Sequence, residues 1–333
     1  MTAADPRSVP PATAAHAGRS RHAGAARGAG ALEPSGPPES ALPESAPGPG
    51  DGGGGDRARL GAVAMVVGSA MSLQFGSAVA ALLFPRAGAL GVVALRLIFS
   101  AVLMLVVFRP KLRGYGRADW TAVAGLGIAL GTMNSLFYQA IDRIPLGAAV
   151  TLELLGPLAL SVVASRRALS LLWAALALGG VYLLGASGFG QLNFAGVAFA
   201  LAAGAMWVAY ILFNARTGAR FPKVDGLALA MGVAALVSAP LGVVSAGGAL
   251  LDPVTLGLGA AVAVLSSGLP YTLELFALRR LAAGTFAVLM SLMPVAATAA
   301  GFLVLGQSLG LVQLLAIALV VAASMGAVRT SPS

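Results

Sequence analysis

Cysteine is absent from this 333-residue chain. That excludes disulfides, thiolate nucleophiles and Cys-ligated metals. The only two histidines, His16 and His22, sit in the N-terminal tail, so the rest of the chain offers no imidazole for metal binding or acid–base work. Charge is scarce: 10% of residues are Asp, Glu, Lys or Arg, against about a quarter in a soluble domain. There is no P-loop, no Asp-rich metal motif, no His-Glu-x-x-His and no nucleophile elbow. Without a P-loop the chain alone cannot be an ATP-driven pump, so any pumping must draw on a gradient. No metal and no cofactor is expected.

What is present is apolar. Hydrophobic residues make up 58% of the chain, and runs long enough to cross a bilayer recur from Leu60 onward. Ten helices are predicted, at 60–82, 88–108, 119–139, 146–165, 168–187, 193–214, 225–246, 254–277, 282–304 and 309–327. The fold class is therefore an all-α polytopic membrane protein embedded in a lipid bilayer. Residues 1–59, rich in Pro, Gly, Ala and Ser, lack a hydrophobic period. They read as a disordered N-terminal tail, dispensable for insertion and transport, or as a basic segment touching anionic lipid. No apolar core follows their early charges, so they do not read as a signal peptide.

A net charge of +9 would point to nucleic acid in a soluble protein. Here topology accounts for it, and no nucleic-acid partner is expected. With the tail in the cytoplasm, 14 Lys and Arg flank the inner helix ends, from Arg57 to Arg329, and the outer loops hold only Arg86 and Arg143. The positive-inside rule then puts both termini inside.

One offset organises the sequence. Shifted by 137 residues, Phe84-Pro85 falls on Phe221-Pro222, Gly131 on Gly268, Arg143 on Arg280, Gly147 on Gly284, Leu152 on Leu289 and Pro157 on Pro294. This reads as an internal duplication with a first repeat at 60–187 and a second at 193–329. Five helices per repeat is odd, so the second copy enters the membrane the opposite way. Inverted five-helix repeats with a site between them are a transporter architecture.

Arg96, Glu153 and Glu274 fall within the predicted spans, where a charge costs several kcal/mol unless it is paired or functional. Arg96 lies roughly 12 Å from the outer end of its helix at 1.5 Å per residue. Glu153 lies at a similar depth, so an Arg96–Glu153 contact is expected, as a static pair or as part of a site. Glu274, one turn before Arg279-Arg280, reads as a helix-end ion pair. Asn134 and Tyr138 share a helix face, as do Ser267, Tyr271 and Glu274, Tyr210 and Asn214, and Gln74 and Ser77. Such faces line a wet cavity or bond neighbouring helices. Pro157 and Pro294, in equivalent helices, each remove a backbone hydrogen bond and serve as hinges or free a carbonyl at a site. Small-residue motifs such as Gly127-x-x-x-Gly131, Ala228-x-x-x-Gly232 and Ala297-x-x-x-Gly301 allow close helix approach, and would also suit a homodimer contact.

The motifs Leu82-Leu83-Phe84-Pro85, Gly91 to Leu97, Ile144 to Val150 and Leu152 to Leu158 resemble the EamA family of the drug/metabolite transporter superfamily. So do Leu269 to Glu274, Thr285-Phe286 and Leu289 to Pro294. Within the family the likeness is to the branch of the bacterial threonine/homoserine exporters, and it runs from about Leu60 to Arg329. It implies ten helices, inverted repeats and efflux of amino acids or related small metabolites. The chain departs from that branch where an acidic residue precedes the helix-9 proline, here Met293, and where Gly-Glu becomes Gly306-Gln307.

The resulting expectation is a secondary active transporter in the plasma (inner) membrane of a bacterium. It would export an amino acid or related small polar metabolite by alternating access, and it is not an enzyme. Protons are the candidate coupling ion. Glu153 would carry the proton or bind an amine, and Arg96 would be its partner or a carboxylate anchor. Asn134, Tyr138, Tyr271 and Glu274 would complete the substrate or coupling site. The rival is a membrane-embedded enzyme of lipid or prenyl metabolism, which would need clustered Asp, His or metal ligands that these spans lack.

Overall fold

The computed structural model describes residues 52–165, 168–186, 193–222, 224–278, 281 and 283–330, all of them helix or short connection. Arg166, Arg167, Lys223, Arg279, Arg280 and the 1–51 part of the tail lie outside the described residues, so the expectations placed on them are not addressed by it.

The elements are α1 (Gly52–Ala81), α2 (Phe84–Phe108), α3 (Arg117–Ile141), α4 (Leu146–Glu153), α5 (Leu155–Ser165), α6 (Ala168–Ala186), α7 (Phe194–Gly218) and α8 (Asp225–Ala246). They continue as α9 (Pro253–Ala263), a π-helical turn (Val264–Gly268), α10 (Leu269–Leu278), α11 (Ala283–Met290), α12 (Met293–Leu305) and α13 (Leu311–Thr330). Joined across their internal breaks, these form ten rods. Nine are long and apolar enough to cross a bilayer among the described residues, and Leu169–Leu184 is a shorter apolar helix. The chain is thus an all-α, multi-pass membrane protein. Its rods end within a few residues of the predicted boundaries, with two differences. α1 starts at Gly52 rather than 60, so residues 52–59 of the segment read as a disordered tail are helical. α2 starts at Phe84 rather than 88, with Pro85 in its first turn, and Gly88 at φ +64 breaks the ladder just where the sequence placed the start.

Local chemistry sets several ends. Asn193 caps α7 by accepting from the amides of Ala195 (2.9 Å) and Gly196 (3.3 Å). Asp252 caps α9 by accepting from the Thr255 amide and hydroxyl, both at 2.9 Å, ahead of Pro253. These bonds hold the Asp252 carboxyl below its ordinary range. α12 closes on Gly306 at φ +64.

Two rods break at the same register. α4 ends at Glu153, and α11 ends at Met290, 137 residues later. Both breaks have one cause: the proline four residues on has no N–H to give, which leaves the carbonyls of Glu153 and Met290 without their helical partners. The third break is the π-helical turn. There Ser72 Oγ donates to Leu265 O (2.7 Å), Arg96 Nη2 donates to Ser266 O (3.3 Å), and Ser100 Oγ donates to Ser267 Oγ (2.9 Å). Side chains of α1 and α2 occupy acceptors of this turn, at a type of irregularity common near functional sites.

Packing pairs α2 with α8, α6 with α13, α4 with α12, and α3 with α7; α1 lies against α10 and α12, and α7 against α4. Small residues set these distances. A Cβ on Gly127 would lie 2.5 Å from Ala230 O, and one on Gly131 3.0 Å from Ala234 O, so α3 and α8 meet nearly backbone to backbone. At the end of the bundle away from Arg109, Lys111 and Arg113, α4 seats on α12 with Gly147 against Thr298, and Gln307 Oε1 accepts from the Leu146 amide at 3.0 Å. Leu146, Ala148, Ala149 and Val150 are fully buried there. At the basic end, Arg220 Nη1 donates to Asp119 Oδ1 (2.9 Å), and Tyr115 stacks on Phe221 at 4.3 Å.

Candidate functional site

Between the middle of the bundle and its basic end lies a cavity of about 520 Å³, within the range of small-molecule sites. α1 contributes Gln74, α2 Arg96, α3 Asn134, α4 Glu153, α7 Trp207 and Tyr210, and α10 Glu274; α11 and α13 close it with Met290 and Ser324. None of the residues that seal the opposite end, from Ile144 to Val150, lines it.

Glu153 reaches the cavity because it is the last residue of α4, where the helix breaks. Its carboxylate makes no hydrogen bond and no ion pair among the described residues, although the residue is 7% exposed. The expected contact with Arg96 is not formed. Arg96 and Glu153 both line the cavity, beyond ion-pair range of each other. The reason is competition for the guanidinium fork. Nη1 donates to Tyr138 Oη (3.0 Å), Nη2 donates to Ser266 O (3.3 Å), and the cation lies 5.4 Å from the Tyr138 ring centre. Nε is buried and without a partner among the described residues, and each Nη keeps a second N–H. Arg96 thus ties α2 to α3 and to the π-helical turn while presenting its charge to the cavity.

The other expected residues divide. Asn134 lines the cavity, with Nδ2 donating to Leu130 O (2.9 Å) and Oδ1 left as an acceptor. Tyr138 is fully buried behind Arg96, against Phe84 and Phe137, and is not part of the lining. Glu274 lines the cavity and accepts from Ser69 Oγ at 2.7 Å; Arg279 and Arg280, its expected helix-end partners, lie outside the described residues. The Tyr271 side chain lies outside the described residues. Pro157 lines the cavity; Pro294 stands beside it in the first turn of α12.

Sequence reasoning passed over Ile211, Met290 and Ser291 because they are apolar or small. The 137-residue offset identifies them. Leu73 and Tyr210, Gln74 and Ile211, Phe137 and Glu274, Glu153 and Met290, and Leu154 and Ser291 all line the cavity, and each pair is related by that offset. In every pair one member carries a polar group and the other is apolar. The two halves therefore supply matched walls of unmatched chemistry.

A model of the EamA-like transporter family matches residues 194–329. The threonine/homoserine exporters RhtA of Escherichia coli (strain K12) and Salmonella typhimurium (strain LT2) are each 41% identical over 261 residues, spanning 78% of this chain and 88% of the relative. One solved crystal structure superposes with a TM-score of 0.52 at 21% identity, over 81% of this chain and 95% of its own, and shares the fold. With relatives this similar over most of their length, the chain belongs to the EamA-like transporter family and is a secondary transporter, not an enzyme.

Proposed function

We propose that this protein exports an amino acid from a bacterial cytoplasm across the inner membrane, with threonine and homoserine as the first candidates. The observation that carries the reading is the unpartnered Glu153 carboxylate facing a 520 Å³ cavity beside the buried Arg96 charge. A zwitterion offers an ammonium group to the first and a carboxylate to the field of the second. The named substrates of the 41%-identical relatives support the choice of candidates.

The cavity holds two carboxylates and one guanidinium, so without substrate one negative charge is uncompensated. Burying it is costly, and a proton is the simplest counter-ion. If the substrate ammonium and a proton compete for Glu153, each crossing carries one or the other, and the result is proton-driven antiport. Coupling requires only that the two ligands bind the inward and outward states differently.

Alternating access would exchange the two repeats, 60–187 and 193–329, about an axis in the membrane plane, with Pro157 and Pro294 as hinges. Supporting this are the breaks at Glu153 and Met290, the five lining pairs and a packing scheme that survives exchange of the halves. The packed end at Leu146 and Gln307 and the hollow at the basic end fit a state sealed from outside. The charge split supports cytoplasmic placement of both termini.

Inverted membrane vesicles containing the full chain should accumulate labelled threonine or homoserine when their interior is acidified, and much less when an uncoupler removes the gradient. Accumulation that ignores the gradient would remove the proton from the scheme; no accumulation of either amino acid would overturn the export reading. Reporter fusions after Gly188 and after Lys223 should report outside and inside respectively. The reverse pattern would sink both the topology and the inverted repeat.

A further inference from the structure

Gln74 is an almost wholly enclosed polar side chain in the cavity wall. It is 2% exposed, it lines the cavity, and its Oε1 has no hydrogen-bond partner among the described residues. Its place in the fold is well determined. Two residues earlier, Ser72 bonds Leu265 O; two residues later, Gly76 packs so closely on the π-helical turn that a Cβ there would overlap Ser266. Arg96 bonds the neighbouring carbonyl, Ser266 O, so the amide and the guanidinium flank one rigid turn.

A buried acceptor left unpaired is a standing cost that a ligand can remove. A hydrocarbon ligand cannot remove it; a ligand with a spare donor can. The zwitterionic head of an amino acid does not meet this need, because its ammonium is drawn to the ionised acceptor Glu153, which binds a cation more strongly than a neutral amide does. The neutral acceptor is left for a neutral donor.

Resting on the amino-acid export reading, we propose that Gln74 is the specificity-determining residue for a side-chain hydroxyl. Its Oε1 accepts the hydroxyl proton of a hydroxy amino acid, and it disfavours the aliphatic isostere, which would leave that oxygen buried and unpaired. Its offset partner Ile211 contributes only an apolar wall, so the hydroxyl is read from one side of the cavity.

The test uses pairs of equal shape: threonine against valine, and homoserine against norvaline. Proteoliposomes of the full chain are preloaded with unlabelled threonine, and counterflow of each labelled amino acid is measured per transporter molecule. The wild type should favour each hydroxy member by about ten-fold or more. Gln74→Met keeps size and removes the amide; it should bring both ratios close to one by lowering the hydroxy members and sparing the aliphatic ones. Gln74→Asn keeps the amide on a shorter stem and stands in if the methionine variant does not insert; it should reduce the ratios part of the way. A wild type that moves valine as well as threonine overturns the proposal whatever the variants do. So does a substitution that lowers both members of each pair alike, or neither. A wild type that moves none of the four amino acids refutes the export reading, and this inference with it; equal movement of all four refutes Gln74 alone.

Discussion

Glu153→Gln should leave the protein at normal abundance in the membrane while threonine transport per molecule falls by roughly 10- to 150-fold. The two halves of that expectation come from different observations. Breaking a buried ion pair strands the remaining charge and costs about 3–5 kcal/mol, which would appear as lost protein. Glu153 holds no such pair: the Arg96 fork is taken by Tyr138 and Ser266, and no hydrogen bond ends on the Glu153 carboxylate. Glutamine in its place therefore breaks no contact. The transport loss follows from the ligand. A hydrogen bond to a charged group contributes about 1.5–3 kcal/mol, and a neutral amide cannot supply the same attraction to an ammonium group inside an apolar bundle. If proton and substrate compete for this carboxylate, gradient-driven export and threonine–threonine exchange fall together. If Glu153 carries only the proton, export fails and exchange continues. Normal export and normal exchange across the pH range would mean that the carboxylate is a bystander.

Much of this site was legible in the sequence, for a definable reason. Depth along a helix follows from counting residues, so Arg96 and Glu153 were placed at one level, and both line the cavity. Azimuth is harder. Asn134 and Tyr138 are four residues apart and some 40° out of line on an ideal helix. That rotation separates Asn134 in the lining from Tyr138, which is turned toward α2 to receive Arg96. The ion pair failed for the same reason: equal depth does not establish a shared direction, and the fork found better partners to the side. The π-helical turn was beyond reach, because side chains of α1 and α2 engage its acceptors and no local pattern at Val264–Gly268 encodes them. The apolar lining at Ile211 and Met290 carries no chemical signal of its own; only the 137-residue offset from Gln74 and Glu153 points to it.

The break that exposes Glu153 also sets the second large effect. Pro157 leaves the Glu153 carbonyl without its helical donor, and α7 covers that carbonyl with Gly204. A Cβ on Gly204 would stand 2.6 Å from Glu153 O, 3.3 Å from its carbonyl carbon and 3.4 Å from its Cα. The approach is reciprocal, since a Cβ on Gly156 would overlap the Gly204 carbonyl. All these neighbours are backbone, which cannot rotate aside as a side-chain tip could. Gly204→Ala must therefore push α7 away from the α4–α5 break. Overpacking of this kind costs about 1–3 kcal/mol, against a gain of up to ~1 kcal/mol in helix propensity. The displaced atoms belong to Glu153 itself, so transport should suffer more than stability. The variant should melt several degrees lower in detergent and retain less than about a tenth of wild-type threonine transport per molecule, since small misplacements at a site are amplified in rate. Gly179→Ala is the matched control. It lies within α6, with nothing within 4 Å of the added carbon, and should keep transport and gain slightly in stability. If Gly204→Ala behaves like Gly179→Ala in both measurements, then α7 is not what fixes the Glu153 backbone, and the geometry of the break is not what delivers the carboxylate to the cavity.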